Sequence, residues 1–204
     1  MLTFDHIAIS ATTLGEGVES VQSALGLPLA GGGQHALMAT HNRLLGLGDI
    51  YLEVIAPDPS LPAPSHPRWF DLDAFTGPPR LTNWVAACDD LAAEIAASPA
   101  GIGTPTALER ADFRWDMAIP ANGKLPYDGA FPALIHWQGG LHPTHRLPES
   151  NARLIRLEIT HPDAATLTDM LSPRLSDPRI LFTTGPVTAM QATFTTPHGT
   201  RSFP

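Results

Sequence analysis

Two ionisable side chains, those of His6 and Glu53, lie inside segments that are largely apolar: LTFDHIAI and IYLEVIA. A carboxylate buried without a partner carries a large desolvation cost, so Glu53 needs a neighbouring positive charge. A cation held together with His6 would supply that charge. Two other arrangements are open: Glu53 faces solvent or pairs with Arg43, and His6 is a core histidine bonded to the backbone.

The alternation of polarity over residues 2–9 predicts a β-strand that carries His6. It assigns six residues to two faces: Phe4, His6 and Ala8 to one, and Asp5, Ile7 and Ile9 to the other. Glu53 lies in a second strand-like segment, in phase with Tyr51 and Ile55. Each candidate residue is therefore expected on a strand with apolar neighbours.

The elements around these two strands predict a first βαβββ unit. Thr13 and Glu16 form a capping box, and a helix with apolar residues at helical spacing follows and ends at Gly26. Three short β segments come next, at 35–40, at 43–47 after a turn at His41-Asn42, and at 50–56. The strands that carry His6 and Glu53 are thus the first and the fourth of this unit.

A proline-rich segment separates this unit from a second one. Residues 57–79 contain seven prolines, and because proline lacks an amide donor, this segment is neither a central strand nor a helix interior. We expect an ordered linker held to the body by Trp69, Phe70 and Leu72. The pattern of a strand, a helix capped by Asp90 and further strands then restarts at residue 80.

These boundaries divide one unit, 1–204, into four parts. They are a first module at 1–56, a linker at 57–79, a second βαβββ module at 80–150 and a partial third module at 151–204. In the second module, strands are expected at 80–87, 113–119 and 130–137.

Composition excludes several classes of function. The formal net charge is −8, and no cluster of lysine and arginine occurs, so nucleic acids and anionic membranes are not the expected partners. Cys88 is the only cysteine, which excludes an intrachain disulfide and a CxxC zinc site. No signal-peptide pattern and no apolar stretch long enough to span a bilayer is present. The expected location is the cytoplasm.

The segment FDHIAISATTLGEGVESVQSALGL resembles the first strand and helix of the vicinal-oxygen-chelate superfamily, which includes glyoxalase I, extradiol dioxygenases and antibiotic-resistance binding proteins. IYLEVIAPDP looks like the fourth strand of the same module, and PPRLTNWVAACDDL and PALIHWQGGLHP resemble the glyoxalase-like subgroup. The resemblance implies an α+β fold. In that fold, repeated βαβββ modules form a cupped, mainly antiparallel sheet with the helices outside.

The resemblance also implies a set of site residues, because the family's metal ligands come from the first and fourth strands of each module. Carried over, the ligands are His6, Glu53 and His136, and the neutral Asn83 occupies the remaining position. Two histidines and one carboxylate suit a divalent Fe, Mn, Ni or Zn ion. Glu53 and His136 are the expected catalytic residues. The residues expected to contact the substrate are Asn83, Trp137 and His142.

Three functions are open at this stage. The first is a metal-dependent enzyme of lyase, isomerase or dioxygenase type that acts on a small molecule through two neighbouring oxygens. The second is a protein of the same fold that binds a small, largely apolar or aromatic molecule without a metal. The third is a partner-binding or scaffold domain. Whether one chain completes the cup or a homodimer shares it is also open.

Overall fold

The computed structural model describes residues 1–204, which form twelve β-strands and three α-helices. In chain order the elements are β1 (Thr3–Ser10), α1 (Leu14–Leu25), β2 (Gln34–His35), β3 (Thr40–Gly46), β4 (Tyr51–Pro57), β5 (Arg80–Ala87), α2 (Leu91–Ala96), β6 (Thr104–Arg110), β7 (Phe113–Ile119), β8 (Ala133–Trp137), β9 (Arg153–His161), α3 (Ala164–Leu171), β10 (Ile180–Thr184), β11 (Ala189–Thr196) and β12 (Gly199–Phe203). None of the helices is both long and apolar enough to cross a membrane.

Eight strands form the main sheet, in the order β2-β3-β4-β1-β5-β8-β7-β6. The first and fourth strands of each module pair in parallel, β1 with β4 and β5 with β8, and the two modules join through the antiparallel pair β1 and β5. The remaining neighbours are antiparallel. This confirms the predicted α+β fold with βαβββ modules in a mainly antiparallel sheet.

The main sheet is strongly curved, so that its two edges approach each other. The edge strands β2 and β6 are in contact. Across the same gap, Nη1 of Arg110 at the end of β6 donates to Oδ1 of Asn42 in β3 over 2.8 Å. We call the concave interior of this sheet the cup; its wall is closed at the rim by these side chains.

A second sheet, in the order β10-β9-β11-β12, packs against the outside of the first. Its helix α3 connects β9 to the parallel strand β10. Trp84 of β5 is fully buried between the sheets, with its ring 5.9 Å from that of Phe4 and 6.3 Å from that of Phe182. The apolar core is therefore continuous from the first module to residues of the C-terminal segment.

Helix α1 begins and ends where the sequence predicts. The amide of Glu16 donates to the hydroxyl of Thr13, and Gly26 has the left-handed conformation, with φ of 72°. The linker is also held as predicted, because the side chains of Trp69, Phe70 and Leu72 are buried. Trp69 and Phe70 reach into the cup, where Trp69 lies edge-on to His35 at 5.0 Å.

The strands differ from the prediction at two points. The turn that precedes β3 lies at residues 36–39, and not at His41-Asn42; both of these residues belong to β3, where His41 pairs with Gln34. The sequence favoured a turn there because asparagine is common in turns, but Oδ1 of Asn42 accepts from the amide of Gly33 and so stabilises the hairpin. Strand β6, which alternates weakly in polarity, was not predicted.

Candidate functional site

The site begins at a β-bulge in β1. The register between β1 and β5 shifts between Phe4 and His6, and such a shift changes the direction in which neighbouring side chains point. Asp5 and His6 consequently both reach the cup, and Oδ1 of Asp5 lies 2.5 Å from Nδ1 of His6. The prediction that Asp5 points to the opposite face is wrong, because a strict alternation cannot accommodate the inserted residue.

His6 and Glu53 meet across the parallel strands β1 and β4. Nε2 of His6 lies 3.6 Å from Oε2 of Glu53, and the ring of Tyr51 stacks on the imidazole with 4.3 Å between centroids. Oε1 of Glu53 accepts a hydrogen bond of 2.5 Å from Nδ2 of Asn42. Glu53 is only 6% exposed, and the guanidinium of Arg43 donates to the carbonyl of Asn42, so neither alternative for Glu53 applies.

The two carboxylates keep His6 protonated at neutral pH. Burial alone lowers the pKa of His6, but the hydrogen bond to Asp5 and the nearby carboxylate of Glu53 outweigh burial and raise the pKa to about 9. Burial likewise raises the pKa of Glu53, but the contact with His6 outweighs it and lowers the pKa to about 2. The pKa of Asp5 is also well below its ordinary value, because hydrogen bonds to His142 and His6 outweigh the burial that raises it. Asp5, His6 and Glu53 thus form a buried, charged triad.

Asn42 extends this network to a positive charge at the rim. Its Oδ1 accepts from Nη1 of Arg110, and its Nδ2 lies 3.5 Å from Nε2 of His35. His35 stays neutral, because burial lowers its pKa to about 4. The guanidinium of Arg110 hydrogen-bonds to this neutral amide, lies 5.6 Å from the ring centroid of Phe113, and forms no ion pair. Neither Asn42 nor Arg110 is predicted as a site residue from the sequence, because Asn42 is predicted in a turn and Arg110 lies outside every predicted strand.

A small cavity of about 30 Å³ separates the triad from the aromatic wall of the cup. Trp69, Trp115 and Trp137 line it, together with His6 and Arg110. Arg110 also lines a cleft of about 520 Å³ outside the rim, beside the glycine segment 31–33. The cavity has room for a group about the size of one water molecule, and the cleft has room for the rest of a small ligand.

Trp137 and His142 both contact the carboxylate of Asp5. Nε1 of Trp137 donates to Oδ2 of Asp5 over 2.8 Å, and Nε2 of His142 lies 3.2 Å from the same oxygen. The ring of Trp137 also lines the cavity beside His6. Both residues therefore belong to the neighbourhood of the triad.

The structure does not bring His136 together with His6 and Glu53. Ile135 and Trp137 line the cavity, so His136 between them lies on the other face of β8. There its Nδ1 is 2.9 Å from the carbonyl oxygen of Cys88. Asn83 is buried in the second module, but it lines a separate chamber and does not line the cavity beside His6.

The side chains of the cup do not fit the family's metal site. In the first module, Ala8 of β1 pairs with Glu53 of β4. When Asn83 is aligned with His6, Val85 is the counterpart of Ala8 in the second module, and it pairs with Ala133 of β8. Ala133 therefore stands where Glu53 stands in the first module, and its side chain has no atom that could bind a metal ion. No group of three His, Cys, Asp or Glu side chains is arranged to hold an ion. The protonated imidazole of His6, which lies between the carboxylates of Asp5 and Glu53, supplies the neighbouring positive charge that a buried Glu53 requires.

Comparison with known proteins agrees with the fold. A crystal structure of a hypothetical protein from Staphylococcus aureus superposes with a TM-score of 0.64 at 13% identity, covering 93% of this chain and 88% of that one. Methylmalonyl-CoA epimerases are more distant. A variant of the Streptomyces coelicolor enzyme in complex with 2-nitronate-propionyl-CoA has a TM-score of 0.44 at 15% identity, and the match covers 69% of this chain and 100% of that one. The enzyme of Mycobacterium tuberculosis has a TM-score of 0.43 at 16%, covering 66% and 85%.

The chain has no significant match among curated proteins. The sequence profile of the glyoxalase-like domain matches residues 4–175, which includes both modules of the main sheet and the beginning of the second sheet. This chain therefore belongs to the glyoxalase-like domain family of the vicinal-oxygen-chelate superfamily.

Proposed function

We propose that this protein binds a small anionic molecule in the cup without a metal ion. The anionic group contacts Arg110, and a neighbouring hydroxyl or carbonyl oxygen reaches the pair formed by His6 and Glu53. The observation that carries the proposal is the position of the His6 imidazole, 2.5 Å from one buried carboxylate and 3.6 Å from another.

The charge of the triad supports binding without a metal. In a vicinal-oxygen-chelate site, the metal neutralises the carboxylate and polarises the oxygen of the substrate. Here a protonated His6 supplies a positive charge beside Asp5 and Glu53, and it can donate from Nε2 to a ligand oxygen, because its 3.6 Å contact with Glu53 is longer than a hydrogen bond. Glu53 in turn can accept from a hydroxyl of the ligand.

The same charges favour binding and polarisation over proton transfer. A general acid or base works best when its pKa is near the ambient pH. With the pKa of His6 at about 9 and that of Glu53 at about 2, both groups keep their charge throughout the neutral range. The positive charge of His6 and the negative charge of Glu53 therefore act as a fixed dipole that binds and polarises an oxygen of the ligand.

Arg110 supports an anionic ligand. It is a half-buried guanidinium with no carboxylate partner, and it lines both the inner cavity and the outer cleft. A guanidinium in this position binds a carboxylate in a planar, bidentate geometry. A ligand with its carboxylate at Arg110 and a second oxygen next to it matches the polar groups of the cup.

The experiment is a thermal unfolding series with glycolate, lactate and pyruvate as probes, in the presence and absence of a chelator. A ligand that binds only the folded state raises the unfolding midpoint. We expect stabilisation of the wild type that the chelator leaves unchanged and that His6→Gln abolishes. His66→Gln, at an exposed histidine of the linker, serves as the control.

A metal-dependent enzyme is the second candidate, because an ion that displaced the proton would find the Nε2 of His6 and the carboxylate of Glu53 on neighbouring strands. Elemental analysis after incubation with Fe, Mn, Ni and Zn distinguishes the two. One equivalent of metal in the wild type and in His66→Gln, lost in His6→Gln, would replace our proposal with this candidate. No retained metal, with chelator-independent stabilisation by the probes, supports the proposal.

A further inference from the structure

The cleft outside Arg110 continues the lining of the cup. On β7, Trp115 and Met117 line the cavity beside His6, and Phe113, two residues before Trp115, lines the cleft. Side chains two residues apart lie on the same face of a strand. One face of β7 therefore serves both the cavity and the cleft.

Strand β3 has the same arrangement. Its Asn42 lines the cavity, and Leu44, two residues further on, lines the cleft. Leu44 is paired directly with Glu53 of the antiparallel strand β4, so the two side chains are neighbours on one face of the sheet. The cleft therefore begins beside the carboxylate of the triad.

The cleft offers an apolar surface of about 520 Å³ in volume. Apart from Gln34, Arg110 and Arg146, all of its lining residues are apolar or glycine. The lining reaches from the interior to the surface, since Phe113 is buried and Leu147 is only half-buried. An apolar part of a ligand can therefore leave the cup along this wall.

Arg110 supplies the unpaired charge of the cleft. No Asp or Glu lines the cleft, and the second cation, Arg146, is paired with Asp112. Nε and Nη2 of Arg110 have no acceptor within the protein, and neither is an enclosed atom. These two donors form one edge of the guanidinium, and such an edge binds both oxygens of a carboxylate.

The side chain of Arg110 is held between the cavity and the cleft. A Cβ at Gly33 would lie 2.6 Å from Cδ of Arg110 and 3.0 Å from Cγ, so a glycine at this position leaves room for the stem. At the other end, Nη1 donates to Asn42. A carboxylate bound to the remaining edge is thus held next to both spaces.

A hydroxyl fits the pair formed by His6 and Glu53 better than a carbonyl oxygen does. Nε2 of His6 is a donor and Oε2 of Glu53 is an acceptor, 3.6 Å apart. A hydroxyl group can accept from the first and donate to the second, whereas a carbonyl oxygen can only accept.

From these observations we infer that the ligand of the cup is a 2-hydroxy acid with an apolar alkyl chain. The inference rests on the proposed function, since the carboxylate lies on Arg110 and the hydroxyl lies beside His6. The alkyl chain leaves the second carbon beside Leu44 and extends between Phe113 and Leu147.

The test is a calorimetric titration with lactate, 2-hydroxybutyrate, 2-hydroxyhexanoate and 2-hydroxyoctanoate. We expect the affinity to rise about threefold for each methylene that enters the cleft, because apolar surface is removed from water. Octanoate, which lacks the hydroxyl, is the control for non-specific binding of the chain. It should bind at least about tenfold more weakly than 2-hydroxyoctanoate.

Leu147→Ser replaces an apolar side chain of the cleft at a half-buried loop position. It should lower the ratio of the affinities for 2-hydroxyoctanoate and lactate by at least about fivefold. Leu61→Ser, at a half-buried leucine of the linker that does not line the cleft, is the matched control and should keep the wild-type ratio.

The outcomes separate this inference from the proposed function. Lactate that binds, with no gain in affinity up to 2-hydroxyoctanoate, would overturn the inference and leave the proposed function standing. If none of the 2-hydroxy acids binds, both fail. Octanoate binding as tight as that of 2-hydroxyoctanoate, or a gain with chain length that Leu147→Ser leaves unchanged, would also overturn the inference.

Discussion

Asp5 and His6 are adjacent in β1, and yet Oδ1 of Asp5 lies 2.5 Å from Nδ1 of His6. In a regular strand the two side chains would point to opposite faces; the bulge brings both into the cup. Oδ2 of the same carboxylate contacts Nε1 of Trp137 and Nε2 of His142. Asp5 thus connects the charged triad to the rim of the second module.

Asp5→Asn should lower the pKa of His6 and destabilise the protein. The substitution keeps the shape of the side chain but removes one of the two negative charges that outweigh the burial of His6. Removing one partner of a buried ion pair costs about 3–5 kcal/mol. Chemical denaturation measures this loss, and a titration followed by NMR of the His6 ring measures the pKa. The control is Asp58→Asn, at a buried carboxylate that contacts His41 and not His6; an unchanged pKa of His6 in Asp5→Asn would contradict our account.

Stability should reach its maximum near pH 6.5. The folded-state pKa of His6, about 9, exceeds the unfolded value of 6.5, so its contribution is complete below pH 6.5 and is lost as the pH rises through 9. The pKa of His35 is lowered to about 4, so the unfolded state binds more protons between pH 4 and 6.5, and stability falls as the pH falls through that range. We call the fall of stability above this maximum the alkaline limb and the fall below it the acidic limb. In each limb, the free energy of unfolding has a limiting slope of about 1.4 kcal/mol per pH unit.

Below pH 4.5 the acidic limb should continue, because the pKa of Glu53 is lowered from 4.5 to about 2 and its contribution is lost as the pH falls through 2. Urea denaturation at a series of pH values measures the profile. His6→Gln should flatten the alkaline limb, and His35→Gln should remove part of the acidic limb only. A wild-type profile that still rises between pH 7 and 9 would refute the protonated His6.

The main strands and their candidate residues could be predicted because local patterns determine them. The apolar alternation around His6 and Glu53, together with the capping box at Thr13, places β1, α1 and β4, and the parallel pairing of β1 and β4 then brings His6 and Glu53 together. These features depend on the side-chain period of a strand and on hydrogen bonds within one helical turn, both of which are visible in a single sequence.

The rest of the site depends on interactions between distant parts of the chain. The bulge that turns Asp5 inward arises from the register with β5, and Arg110 reaches Asn42 only because the sheet curls until its edges meet. His136 was a wrong candidate for the same reason. Its sequence segment resembles the family, but the pairing of Val85 with Ala133 puts Ile135 and Trp137 into the cup and leaves His136 on the other face of β8. A one-residue difference in phase exchanges the two faces of a strand.

Arg110→Gln should weaken the binding of an anionic ligand by at least about tenfold, because a charge-assisted hydrogen bond contributes roughly 1.5–3 kcal/mol. Stability should change little, since Gln can still donate to Asn42. The pKa of His35 should rise, because the positive charge of Arg110 is one of the causes that lower it. Calorimetric titration with lactate measures the affinity. Arg114→Gln, at an exposed arginine of β7 paired with Glu109, is the matched control; an equal loss in both variants would argue against a specific role for Arg110.

Phe70→Ala should join the cavity beside His6 to the chamber beside Asn83, because the Phe70 ring lines both spaces. Phe70 is 5% exposed, and truncating a buried phenylalanine costs about 3–5 kcal/mol in unfolding free energy. The backbone at this position has φ of 57°, which is strained for alanine as it is for phenylalanine, so the change reports on the loss of the ring. Denaturation by urea measures the change. Phe75→Ala, at a half-buried position of the same linker whose ring contacts Arg80, should cost clearly less, and a similar cost in both variants would contradict the buried packing of Phe70 between the two spaces.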